Sequence, residues 1–126
     1  MRGASAIQRV LDQSPDLKVR VFMVWEPVLL TDYLRAPGGK LTARIPDPRA
    51  TQYWDRHKVL SHALLEAGRR HGEPAARRTA VVWDYVAGFA PGVRWRDGVP
   101  RPDFQDSPVV GATGGLRAWL AARAAP

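Results

Sequence analysis

At 126 residues the chain has room for one hydrophobic core and not two, so a single domain is expected. An apolar fraction of 45% with five Trp excludes a disordered chain, and no run approaches the roughly 20 apolar residues that span a bilayer. Cysteine is absent, which removes disulfides, zinc–thiolate sites, iron–sulfur clusters and thiol nucleophiles together.

The net charge of +7 permits a nucleic-acid partner, because Lys and Arg neutralise phosphates. The basic residues are nevertheless scattered. Only Arg69-Arg70 and Arg77-Arg78 are adjacent, and no aromatic–basic alternation follows a single strand, so nucleic acid is not expected. The opening Met1-Arg2-Gly3-Ala4-Ser5 lacks an apolar leader, which points to a cytoplasmic protein with no membrane partner.

In chain order, Ile7, Val10 and Leu11 recur at helical spacing, and Ser14-Pro15 ends the pattern, giving a helix over 3–13. Residues 19–25 are β-branched and almost wholly apolar, as in a parallel strand covered on both faces. Residues 26–44 hold Pro27, Pro37, Gly38 and Gly39 without periodicity and read as a long loop. Asp47-Pro48 has the form of an N-cap followed by a first-turn proline, opening a short helix that carries Tyr53 and Trp54.

Asp55 can cap a longer helix in which Val59, Leu60, Ala63, Leu64 and Ala67 form an apolar stripe, stopped at Gly72. Residues 79–86 predict a second strand, and 93–96 a hairpin partner after the Pro91-Gly92 turn. Residues 97–111 are rich in Pro, Asp and Gly and are expected to lack regular structure. Thr113 can cap a final helix lined by Leu116, Trp119 and Leu120. The predicted fold class is α/β, in the order helix, strand, helix, strand, strand, helix.

Several segments together resemble small bacterial thioredoxin-like proteins. They are Gly3-Ala4-Ser5 with Val10-Leu11, Val24-Trp25-Glu26-Pro27-Val28-Leu29, Asp47-Pro48-Arg49-Ala50 with Tyr53-Trp54-Asp55, and Val82-Trp83-Asp84-Tyr85. The resemblance implies a thioredoxin-like domain truncated at its N-terminus. A first strand and a CxxC pair would precede Gly3, with the leading thiol at the helix N-terminus, where the dipole lowers its pKa. It also implies a central strand between residues 19–25 and 79–86, whose absence would leave both edges unpaired. Two explanations stay open: Met1 is an internal codon, or the chain is a degenerate copy that repacks or dimerises.

For chemistry, Glu26 leaves the C-terminal end of the first strand, where open α/β sheets place ligands, and Asp32 and Asp55 can approach it. Paired carboxylates serve acid/base work or metal binding, although Asp55 also has a purely structural explanation as a cap. Asp84 lies between Trp83 and Tyr85 in an apolar run, so it is either a functional acid or the partner of Arg94 or Arg96. With Trp25, Pro27 and Trp54 these residues make up the candidate patch, while most of the aromatics are expected to be core.

His57, His62 and His71 lack the i, i+4 spacing of a helical metal site, and no metal or cofactor is expected. Ser5 and Ser61 lack a nucleophile-elbow context, and Pro37-Gly38-Gly39-Lys40 reads as a turn. No catalytic residue is assigned. The expected function is a thioredoxin-like domain, redox-inactive as written, or the body of a thiol–disulfide oxidoreductase with its start upstream. The alternative is a non-catalytic module that binds a protein partner, or itself, through exposed strand edges.

Overall fold

The computed structural model describes residues 2–29, 32, 36–73, 76 and 79–124. Met1 and the Arg77-Arg78 pair lie outside the described residues. The element order is α1 (Arg2–Asp12), β1 (Val21–Trp25), α2 (Gly39–Thr42), β2 (Ala50–Trp54), α3 (Val59–Arg70), β3 (Val86–Gly88), β4 (Phe104–Asp106) and α4 (Val109–Ala124). The class is mixed α/β, as predicted. The strands form two two-stranded sheets, β1 parallel to β2 and β3 antiparallel to β4.

The core is built where α1 meets α4. Ala4, Ile7, Val10 and Leu11 of α1 are buried against Val109, Leu116 and Leu120 of α4, with Ile45 from the β1–β2 connection. Fully burying each of the larger aliphatic side chains contributes roughly 1.5–3 kcal/mol, so this cluster dominates the stability of the domain. Val21, Met23, Trp25 and Ala50 pack against it from the first sheet, and Val86, Phe104 and Trp119 from the other side.

The segment predicted as a short helix carrying Tyr53 and Trp54 is strand β2. Asp47 is the reason. Instead of capping a helix, its carboxylate accepts the Arg49 backbone N–H at 2.8 Å and both ends of the Arg49 guanidinium fork, at 2.9 Å from Nε and 2.7 Å from Nη2. The chain leaves this turn extended, and Thr51, Tyr53 and Trp54 suit a half-exposed strand. Its register on β1 runs from Val21 opposite Ala50 to Trp25 opposite Trp54.

The first sheet is covered on one face only, contrary to the two-sided burial expected of residues 19–25. Phe22 and Tyr53 stand on the open face, 62% and 50% exposed, with ring centroids 6.3 Å apart. Among the described residues no strand pairs with the other edge of β1.

Differences are greater in the C-terminal half. Residues 79–85 are not a strand; Asp84 has φ 44°, a left-handed conformation that interrupts any extended run, and pairing begins only at Val86. Its partner is β4 at 104–106 rather than 93–96, and β4 lies inside the stretch expected to be irregular. Helix α4 starts at Val109, not after Thr113, because Val109, Ala112, Leu116 and Leu120 form one buried stripe that reaches back past Thr113. Gly72, at φ 77°, ends α3 as predicted. The loop over 26–44 contains the single-turn α2.

Candidate functional site

Each carboxylate of the candidate patch has a backbone partner or a structural neighbour. Glu26 follows β1 directly. One of its oxygens accepts the Ser61 backbone N–H at 3.0 Å, the other accepts the Ser61 hydroxyl, and the same hydroxyl accepts the Val82 N–H at 3.1 Å. Ser61 is almost fully buried at 1% exposure, so this relay ties the end of β1, the first turn of α3 and the 79–85 segment together. Lys58, at φ 57°, holds the N-cap position of α3, and Asp55, three residues earlier, serves the same end by accepting the Leu60 N–H at 2.8 Å.

Burial pushes the Asp55 carboxyl up, but hydrogen bonds from the backbone of Leu60, Val59, His57 and Lys58 outweigh it and hold the group below its ordinary value. Glu26 and Asp55 thus converge on successive amides of one helix N-terminus, where negative charge is favoured. The predicted approach of these two residues is real. Its result is a doubly capped helix.

Asp32 does not join them. It accepts the N–H groups of Val28 at 3.0 Å and Leu29 at 2.8 Å, closing its own loop, and these bonds, that from Leu29 foremost, lower its pKa. Pro27 is buried. Trp25 donates from Nε1 to Gln52 at 3.0 Å, and Gln52 donates in turn to the carbonyls of Thr42 and Ile45, so this aromatic anchors the β1–β2 connection. Trp54 is half-buried, whereas Trp83 is 59% exposed, Tyr53 50% and Trp95 48%, so the expectation that most of the aromatics are core fails.

Asp84 is exposed and pairs with neither Arg94 nor Arg96 among the described residues. It stands over the first turn of α1 instead. A methyl group at Gly3 would lie 2.5 Å from Asp84 Oδ1 and 3.1 Å from Val109 Cβ, so a larger residue there would push the Asp84 carboxylate aside and press on Val109. The Asp84 carbonyl also accepts the Val109 N–H at 2.9 Å, joining the 79–85 segment to the start of α4, just after the cis Ser107-Pro108 bond.

One arrangement had no signal in the sequence. Tyr85 donates to Gln105 at 2.8 Å, and Gln105 donates to Glu73 at 3.0 Å; burial, with the Glu73 charge adding to it, pushes the Tyr85 hydroxyl up to about 12. These residues line a cleft of about 410 Å³ between α3 and the segments around Trp83 and Pro100. Among the described residues no three His, Asp or Glu side chains are grouped to hold a metal ion, and no helix is long and apolar enough to cross a membrane. No protein-family model, curated protein or solved structure matches the chain.

The Glu26–Ser61–Val82 relay makes a direct prediction. Ser61→Ala leaves the Val82 N–H and one Glu26 oxygen without their partner in a buried position, and is expected to lower stability by about 2 kcal/mol. Urea denaturation of the variant checks this, through a lower midpoint at unchanged slope.

Proposed function

We propose that the chain is a thioredoxin-like domain that performs no thiol chemistry with its own residues. The observation that carries the proposal is that the chain contains no cysteine, while Glu26, Asp32 and Asp55 each accept backbone N–H groups and hold local structure together. The thioredoxin-like part rests on the quoted resemblance, with which the mixed α/β class is compatible.

Insulin reduction with dithiothreitol tests this. The 126-residue chain is expected to leave the rate at the reagent-only level. Mapping the terminal peptides of the protein from its own cells extends the test to the native form. Cysteine-containing residues upstream of Met1, together with activity of that form, would identify the chain as the body of an oxidoreductase; activity of the 126-residue chain itself would refute the proposal.

A second reading, a module that binds a partner or itself, is favoured by the exposed rings of Phe22 and Tyr53 on one sheet face and by an edge of β1 that no strand pairs among the described residues. Sedimentation at increasing concentration checks self-association. Growth of a dimer supports it, and a monomer throughout counts against it.

A further inference from the structure

We propose that the surface between the C-terminal end of α3 and residues 94–100 is a binding site for a small phosphomonoester. An open depression of about 390 Å³ lies here, lined by Arg70, His71, Arg94, Arg96, Asp97 and Gly98. Its volume falls within the range of roughly 300–1,000 Å³ typical of small-ligand sites. Three arginines and one aspartate line it, and among the described residues none of these arginines forms an ion pair.

The simplest competing explanation is that Arg70 merely complements the negative end of the α3 dipole. Its guanidinium is placed otherwise. Arg70 Nη2 lies 2.7 Å from where a methyl group on Gly98 would be, so the side chain reaches across to the 94–100 segment, and among the described residues it makes no hydrogen bond back to the α3 carbonyls. Gly98 has φ +118°, a conformation that L side chains rarely adopt and that also leaves room for the guanidinium. Arg69, by contrast, turns toward the Ala76 carbonyl at 3.4 Å.

Arg94 and Arg96 flank Trp95 in the chain, and the Trp95 ring meets Phe89 edge-on at a centroid separation of 5.4 Å. Arginine forks match the paired oxygens of a phosphoryl group, and a terminal phosphate offers oxygens enough for more than one fork. Val99 and Pro100 give the depression an apolar floor for the organic part of the ligand. This site is independent of the thioredoxin-like reading.

The test is titration of the 126-residue protein with phenyl phosphate, followed by tryptophan fluorescence and calorimetry, with dimethyl phosphate and sodium chloride as parallel arms. Saturable binding of phenyl phosphate, tighter than that of the monoanionic diester, is expected. The double variant Arg94→Gln with Arg96→Gln, both at exposed positions, should bind at least about tenfold more weakly, each arginine supplying a charge-assisted contact. Arg117→Gln, an exposed change on α4, should bind as the parent does. The proposal is overturned if phenyl phosphate does not saturate, if it binds no better than the diester, or if Arg117→Gln weakens binding per charge removed as much as the double variant.

Discussion

Arg49→Ala is expected to lower stability by about 2–3 kcal/mol, the size of effect that follows when several charge-assisted hydrogen bonds to partly buried groups are lost. The guanidinium donates to the carbonyls of Leu11 at 2.9 Å, Ser14 at 2.7 Å and Leu17 at 3.2 Å, and to both oxygens of Asp47. It therefore clips the end of α1 to the turn that starts β2. Arg49→Lys should recover less than half of the loss, since one ammonium cannot reproduce the fork. Thermal and urea unfolding of the two variants provide the measurement.

Acid dependence gives the same interaction a second signature. The Arg49 hydrogen bond, opposed by some burial, brings the Asp47 carboxyl down to about 2 from an ordinary 3.8. Because the folded value is the lower one, this contribution to stability is fully present above the unfolded value and is lost as pH falls through the folded one. Stability of the parent protein should thus decline between about pH 4 and pH 2 more steeply than that of Arg49→Ala, the two curves drawing together in acid. Parallel curves over that window would show that the pair does not act as described.

Substitution at Gly88 is expected to have an effect as large. A Cβ there would meet three atoms of the Trp119 indole at 2.7–2.9 Å. The ring has little room to withdraw, since it lies beside Phe104 at a centroid distance of 6.1 Å and under the Arg123 guanidinium at 4.3 Å. Overpacking of this kind costs roughly 1–3 kcal/mol, so Gly88→Ala should fall in that range and Gly88→Val beyond it. If the clash is the cause, combining Gly88→Ala with Trp119→Leu should cost less than the sum of the single changes in thermal denaturation.

Legibility in the sequence followed the reach of the interactions that fix each element. Helix α1 and the stop of α3 at Gly72 were readable because periodicity, a Ser-Pro break and a glycine at positive φ are local signals. Strand β2 was misread because the same Asp-Pro pair can open a helix or an Asx turn, and the choice was made by Arg49, whose other partners lie more than thirty residues away in α1 and after it. Residues 79–85 looked like a strand from their Val, Trp and Tyr content, yet Asp84 turns left-handed to reach Gly3 and Val109, a tertiary demand with no local mark.

The candidate patch was legible in composition and not in role. The spacing of Glu26 and Asp55 placed both near the end of β1, but only the structure shows that each is tied to a backbone amide of α3. The convergence of Arg70 with Arg94 and Arg96 had no sequence signal at all. Their separation in the chain hides it.

The core joins helices from opposite ends of this sequence, and that has a consequence for how the protein is made. During synthesis Ile7, Val10 and Leu11 of α1 are made roughly a hundred residues before the α4 residues that cover them. At roughly 5–20 residues per second that interval lasts several seconds, far longer than helix formation requires. Throughout it the apolar face of α1 lacks its α4 cover, so the core of this domain closes only once α4 has been made.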